Sequence, residues 1–278
     1  MALDNFIPQV WSARLLRNLR KAHVLAEVAN TDWEGEITEY GDTVKINSIG
    51  PVTVRDYDRG DDLERDELDD EQTVLTIDQA KYFNFGVNDI DQAQQRPQVM
   101  DEAMDEAAHA LVDESDSDLA RLAEEAGGIE EAGEVTAGDV YELITEVNRR
   151  LDENNVPETG RYGVIPPWFK QKIVLAKLFE QGGSFDVSDV ETEGYIGRTL
   201  GFDWYMSNNL VDDHGADNDS LMMFGTRRAM SFAEQILTTE AYRPENSFED
   251  AVKGLYVYGY KMIDPNCMYV VQGRHGTE

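Results

Sequence analysis

The stretch TVLTIDQAKYFNFGV, residues 73–87, decides the fold that this sequence predicts. The stretches TVKIN at 43–47 and VTV at 52–54 precede it, and all three alternate in the two-residue period of half-buried strands. Together they predict a long β-hairpin. Because an isolated hairpin is marginal in water and has unpaired edges, we expect another subunit to cover it. The sequence therefore favours a building block of an assembly over an enzyme.

A long amphipathic helix is predicted directly after the hairpin, over residues 91–126. Its polar face is rich in acids, and the Gly127-Gly128 pair marks its end. The apolar side chains recur at helical spacing and predict one buried stripe. The stripe consists of Met100, Met104, Ala107, Ala108, Leu111, Leu119 and Leu122.

The rest of the chain mixes helix and strand patterns, which predicts an α+β fold with a small α/β unit in its middle third. Thr136 is the expected N-cap of a helix whose apolar residues are Val140, Leu143, Ile144, Val147 and Leu151. A further helix is expected at 168–180, and strands are expected at 162–165, 202–206, 229–233, 255–262 and 268–271.

Tyr256, Tyr258 and Tyr260 share one face of the strand expected at 255–262. Aromatic side chains at a period of two are typical of sheet packing, and ligand binding is the alternative.

The charge of the chain is extreme, at −32 for 278 residues, and the acids are spread over every segment. This pattern favours a protein adapted to high salt, because salt screens the repulsion that would otherwise strain a compact state. An ordinary acidic cytosolic protein is the alternative. The balance disfavours nucleic-acid binding through a basic surface. Cys267 is the single cysteine, and there is neither a secretory signal nor a membrane-spanning run.

The densest acidic run is the hairpin tip, residues 56–71, and its simplest interpretation is a solvated loop. A loose divalent-cation site is the alternative, with Asp56, Asp58 and Asp61 as ligands. An EF-hand loop is disfavoured because Gly60 stands at the fifth place rather than the sixth.

A second acidic turn, Asp212 to Asp219, contains His214. A solvated turn is favoured there, and a hydrolase metal site with Asp213, Asp217 and Asp219 is the alternative. The four histidines show no metal-ligand spacing, and no nucleophile elbow, phosphate-binding loop or zinc-protease motif occurs. The sequence therefore predicts that the protein is not an enzyme.

The N-terminal stretch is locally basic, with Arg14, Arg17 and Arg20, and it places Trp11, Leu15, Leu19 and Val24 at helical spacing. Trp11 and the three arginines are its expected contact residues. We expect a helix that docks on its own core or on a neighbour. The alternative is an interior arm that touches a partner protein or nucleic acid.

Several phrases of this sequence resemble the major capsid proteins of tailed viruses with double-stranded DNA, in the order found in that family. They are FIPQVWSARLL at 6–16, GDTVKIN at 41–47, DQAKYFNF at 78–85, NDID at 88–91, RYGVIPPW at 161–168, GFDWYMSNN at 201–209, FAEQI at 232–236, EAYRPE at 240–245 and DAVKGL at 250–255.

The resemblance implies the Hong Kong 97-like capsid fold. Its parts would be an N-terminal arm at 1–36, an extended loop at 37–90, a peripheral domain with the spine helix at 91–134, an axial α/β domain at 135–224 and returning peripheral strands at 225–278.

In function, the resemblance implies pentamers and hexamers that build an icosahedral shell around viral DNA, in virions assembled in the host cytoplasm. It implies a portal, a decoration or turret protein, and no membrane. A separate scaffolding protein is expected because the arm begins within a few residues of Met1. No cofactor is implied, although structural cations stay open. The acidity suggests a halophilic host, plausibly a haloarchaeon.

The subunit interface expected from the resemblance combines the apolar strands of the hairpin with its acidic tip. Asp58 and Asp62 would meet arginines or cations on a neighbour, with Arg227 and Arg228 as the first basic pair to test. The apolar interface residues would be Val44, Ile46, Phe83 and Phe85. Two alternatives stay open for the whole chain: an encapsulin-type shell that encloses an enzyme, and a halophilic metal-dependent hydrolase.

Overall fold

The computed structural model describes residues 23–32, 41–49, 70–88, 99–178, 194–210, 219–246 and 249–276. The α-helices of these residues are α1 (Leu25–Val28), α2 (Val99–Ala120), α3 (Val140–Glu153) and α4 (Pro167–Leu175). The strands are β1 (Thr43–Ile49), β2 (Asp70–Thr76), β3 (Gln79–Asn88), β4 (Gly128–Val135), β5 (Arg161–Ile165), β6 (Tyr195–Thr199), β7 (Phe202–Met206), β8 (Ser220–Thr226), β9 (Met230–Tyr242), β10 (Glu249–Met262) and β11 (Met268–His275).

The described strands form three sheets. The hairpin pairs β1 with β2, a three-stranded antiparallel sheet has the order β3-β10-β9, and a six-stranded mixed sheet has the order β4-β11-β8-β5-β7-β6. The mixed α+β class expected from the sequence is confirmed. The six-stranded sheet takes β4 and β11 from outside the range 135–224 expected for the axial domain, so the sheet does not follow those bounds.

The returning strand of the hairpin is divided between two sheets. β2 pairs with β1, placing Leu75 opposite Val44, whereas β3 leaves the hairpin and pairs with β10, placing Tyr82 opposite Leu255. The expectation of one continuous return is therefore wrong. At the root of the hairpin, the Ile77 amide donates to the Asp42 carbonyl at 3.0 Å. The chain passes into the three-stranded sheet immediately afterwards.

The root of the hairpin is covered by its own chain. Val44, Ile46, Leu75 and Ile77 are buried together with Ala233 and Val257 of the three-stranded sheet. The contact is close enough to require a glycine, because a Cβ on Gly259 would lie 2.3 Å from the Thr76 carbonyl oxygen. The described part of the hairpin therefore does not need a neighbouring subunit to bury its apolar face.

Helix α2 is the longest helix in the described part of the chain, and its 22 residues span about 33 Å. A 3-10 turn at Arg121–Glu125 extends it, so the helical segment ends before the Gly127-Gly128 pair, as predicted, and β4 begins at Gly128. The stripe is confirmed by the buried residues Met104, Ala108, Leu111, Leu119 and Leu122. Ala107 is only half-buried. The start expected at residue 91 and the Met100 side chain lie outside the described residues.

Helix α3 buries the predicted stripe, with Val140, Ile144, Val147 and Leu151 inaccessible to solvent. Its N-cap is Asp139 rather than Thr136. The Thr136 hydroxyl donates to Asp139 Oδ2 at 2.6 Å, and the Thr136 amide donates to the same oxygen at 3.0 Å. Thr136 therefore stabilises the turn that precedes the helix, because both of its hydrogen bonds go to the carboxylate of Asp139.

The six-stranded sheet is centred on aromatic side chains. Phe202, Trp204 and Phe224 are fully buried, and the rings of Trp204 and Phe224 meet edge to face at 6.0 Å. The strands predicted at 162–165 and 202–206 are confirmed. β4 and β8 were not predicted by the sequence patterns.

Leu75→Ala should destabilise the subunit by about 2 to 4 kcal/mol, because Leu75 is completely buried between the hairpin and the three-stranded sheet. The matched control is Val74→Ala on the opposite face of the same strand, where 40% of the residue is exposed. That variant should stay within about 1 kcal/mol of the parent chain. Urea unfolding measures both. Equal effects of the two substitutions would contradict the packing of the hairpin root on the sheet.

Candidate functional site

Most residues predicted to bind cations or the N-arm partners lie outside the described residues: Asp56, Asp58, Asp61, Asp62, Asp213 and Asp217, with Trp11, Arg14, Arg17 and Arg20. Asp219 is described and half-buried, and its Oδ2 accepts a hydrogen bond from Gln272 Nε2 at 3.3 Å. Across the described ranges, no group of three or more histidine, cysteine or acidic side chains is arranged to hold a metal ion.

The predicted interface residues fall in two environments. Val44 and Ile46 are buried in the hairpin root, and Phe83 and Phe85 are half-buried with their rings stacked at 5.9 Å. Arg227 is exposed and pairs within the chain with Glu27 at 3.1 Å.

Arg228 is also exposed. The contact of the predicted apolar and basic interface residues with a neighbouring subunit stays a prediction.

A buried polar cluster joins the N-terminal segment to the long helix and to the three-stranded sheet. His23 lies between two carboxylates, with Nδ1 3.0 Å from Asp116 Oδ1 and Nε2 3.1 Å from Glu234 Oε2. The side chains of all three residues are at most 7% exposed. The Tyr256 hydroxyl donates to Glu234 Oε2 from the neighbouring strand. We call these four residues the His23 junction.

Asp116 is the anchor of the N-terminal segment. While Oδ1 faces His23, Oδ2 accepts from the backbone amide of Val24 at 3.0 Å and more weakly from that of Leu25 at 3.4 Å. Leu25 and Val28 then enter the main core. A buried carboxylate is stable only with such partners, so the position of Asp116 on α2 determines where residues 23–28 cross the helix.

A second buried carboxylate, Asp118, lies two residues further along α2. The Tyr258 hydroxyl donates to Asp118 Oδ2 at 2.5 Å, and Arg121 approaches Asp118 Oδ1 at 3.4 Å from the surface. The prediction that Tyr256 and Tyr258 pack in the sheet is confirmed, because both are buried. The sequence patterns did not predict that their hydroxyls bind carboxylates on another element.

The junction keeps His23 cationic over a wide pH range. Burial by itself lowers the pKa of His23, but the hydrogen bonds to Asp116 and Glu234, together with their charges, outweigh burial and raise the pKa to about 9. Burial also raises the pKa of Tyr256 well above its usual value, and the charge of Glu234 adds to this effect. The cluster therefore contains an imidazolium between two carboxylates and a neutral phenol.

Sequence reasoning missed the junction because its members are far apart in the chain. One signal was present: Ser115 and Asp116 continue the helical spacing of Leu111 and Val112 into Leu119, so they are polar residues inside an apolar stripe. All of these side chains are buried. A polar residue at such a position requires a buried partner.

The polar groups of the His23 junction bind one another and backbone amides of the same subunit. Each of its charged groups faces an opposite charge or a hydrogen-bond donor of the subunit, so the arrangement stabilises the packing of three elements.

None of the helices that the structure describes is long and apolar enough to cross a membrane.

Comparison with known proteins gives matches in structure. No protein-family model and no curated protein sequence matches the chain. A chain of Mycobacterium phage Che8 is similar at a TM-score of 0.70 and 29% identity, with 90% of each chain covered. The capsid structure of Cyanophage P-SCSP1u is similar at a TM-score of 0.69 and 16% identity, over 92% of this chain and 90% of the other.

A virus-like particle from Pyrococcus furiosus is similar at a TM-score of 0.58 and 13% identity, over 95% of this chain and 99% of the other. The capsid of Ralstonia phage GP4 also matches. The chain therefore has the mixed α+β fold of phage capsid proteins.

Asp116→Ala should destabilise the subunit by about 3 kcal/mol, because it removes one of the two carboxylates that bind His23 and also the acceptor of the Val24 amide. Asp113→Ala is the matched control, since Asp113 is exposed on the same helix. Its effect should stay below about 0.5 kcal/mol. Thermal or urea unfolding of both variants measures the difference, and equal stabilities would show that the junction is not an anchor.

Proposed function

We propose that this chain is the major capsid protein of a tailed double-stranded DNA virus, with the Hong Kong 97-like fold. The observation that carries the proposal is the match over 90% of both chains to a chain of Mycobacterium phage Che8, at a TM-score of 0.70. Capsids of a cyanophage and a Ralstonia phage share the same fold. In this proposal the protein is structural, assembles as pentamers and hexamers into an icosahedral shell, and resides in the virion.

The architecture of the subunit supports this role. A long helix packs on a three-stranded sheet in which two strands run 13 and 14 residues, and the six-stranded sheet shares one hydrophobic core with them. In this proposal the N-terminal arm, extended loop, peripheral domain and axial domain expected from the sequence are the parts of such a subunit. A homo-oligomer, a scaffolding protein, a portal and a decoration protein are its proposed partners, and the assembly would take place in the host cytoplasm.

The proposed contact surface includes the acidic tip, residues 56–71. Its charge disfavours packing against another acidic surface, so we propose that arginines or cations on the neighbouring subunit neutralise it. Arg228 and Arg227 are the candidate partners. Arg227 would first have to leave its pair with Glu27, which is exposed and therefore weak.

A shell with protein cargo is a second candidate, and a virus-like particle from Pyrococcus furiosus has the same fold. Negative-stain imaging of the purified chain, expressed with its neighbouring genes, distinguishes these functions. We expect closed particles of uniform size that protect DNA from nuclease. Particles that enclose protein and no DNA would favour the cargo shell. A folded monomer that never forms particles would overturn both proposals.

Shell assembly should require salt on the order of 1 M, where charges are screened within about 3 Å. A subunit of charge −32 repels its copies at every interface, which is also the reason for proposing a halophilic and plausibly haloarchaeal host. Light scattering over a salt series measures the requirement. Shells that are equally stable at about 50 mM salt without divalent ions would contradict it.

The same series tests the tip directly. A variant with Asp58, Asp61, Asp62, Glu64 and Asp66 changed to their amides should assemble at lower salt, whereas Asp62→Asn alone should have little effect, since single exposed pairs contribute about 0 to 1 kcal/mol. An unchanged salt dependence of the multiple variant would show that the tip acids are solvated and make no charged contact.

A further inference from the structure

The His23 junction has the features of a switch, since one proton determines whether each of its two carboxylates faces an N–H donor of the imidazole. With His23 charged, the imidazolium faces Asp116 of α2 and Glu234 of β9, and Tyr256 of β10 donates to Glu234. With His23 neutral, two buried carboxylates would share one imidazole N–H, and the second ring nitrogen would turn a lone pair toward a carboxylate. That state loses a hydrogen bond and gains a repulsive contact.

Water can reach the junction from one side. A cavity of about 260 Å³ is lined by His23, Glu234, Glu27, Thr31 and Arg227. The Glu27–Arg227 ion pair at its edge is exposed, so it does not seal the cavity. Among the described residues, the ring of Phe232 also lies beside the imidazole, with its centroid 5.7 Å away. His23 can therefore exchange its proton without unfolding of the subunit.

The segment that His23 begins is held at two separate points. At its first end, the Val24 amide binds Asp116 and depends on the junction. At its second end, the Asn30 amide donates to the Met230 carbonyl at 2.9 Å, and the Asn30 carbonyl accepts from the Phe232 amide at 3.0 Å. The second attachment contains no titratable group, so the two ends can respond differently to pH.

We propose that the His23 junction is an alkaline-sensitive latch: loss of the His23 proton releases the first end of the segment, residues 23–28, from α2 and β9, while Asn30 stays attached to β9. The inference concerns the subunit itself and does not depend on the proposed function.

The direction of the effect follows from proton linkage. His23 binds its proton more tightly in the closed latch, where its pKa is about 9, than in an open segment, where 6.5 is usual. The stabilisation is therefore complete below about pH 6.5 and is lost as the pH rises toward 9. Between about pH 6.5 and about pH 8.5, the opening equilibrium should rise roughly 40-fold.

Amide hydrogen exchange of the unassembled 278-residue chain, resolved by NMR and divided by intrinsic exchange rates, tests the latch. We expect the opening constant at Val24 to rise roughly 40-fold over that pH interval and the constant at Asn30 to change less than about threefold. Parallel changes at Val24 and Asn30 would indicate release of the whole segment or global unfolding, and would overturn the proposal. So would an unchanged constant at Val24.

Two variants complete the experiment. In His23→Gln the Val24 amide should open readily at every pH, and the pH dependence should disappear. His109→Gln is the matched control, because His109 is an exposed histidine on α2 outside the junction, and it should retain the dependence of the parent chain. Persistence of the full dependence in His23→Gln would show that another group is responsible and would overturn the proposal.

Discussion

Buried carboxylates determine how the long helix lies on the three-stranded sheet. Apolar contact favours burial but has no direction, so it does not select one register of a helix on a sheet. Asp116, Asp118 and Glu234 supply that selection, because each needs a donor at hydrogen-bond distance and finds it on another element. The N-terminal segment, α2, β9 and β10 can satisfy all of these bonds in one arrangement, and the core forms around it.

Local patterns predicted the elements of this fold better than their connections. The helices and the strands at 162–165, 202–206 and 268–271 follow from periodicity and from glycine or proline boundaries. β8 was missed because LMMF is a continuous apolar run, which suits a buried strand and a buried helix equally. β4 was missed because the acidic residues at its exposed positions obscure the pattern of an edge strand. Its strand partner, β11, lies far away in the chain.

The division of the hairpin's return strand and the His23 junction escaped prediction for the same physical reason. The chain leaves the hairpin after Ile77 because Gly259 lets β10 approach the Thr76 carbonyl, a contact between distant residues. His23 likewise acquires its partners only when the chain has folded. The polar residues Ser115 and Asp116 in the apolar stripe of α2 indicated that a partner exists, although they did not identify it.

The self-covered root of the hairpin affects how the loop can take part in association. A loop that first becomes ordered on contact with another molecule loses conformational entropy at that moment, and the loss weakens binding. Here Val44, Ile46, Leu75 and Ile77 are already fixed on the subunit's own sheet. The direction in which β1 and β2 leave the sheet is thus determined before any encounter, so a contact made by these two strands needs less ordering when it forms.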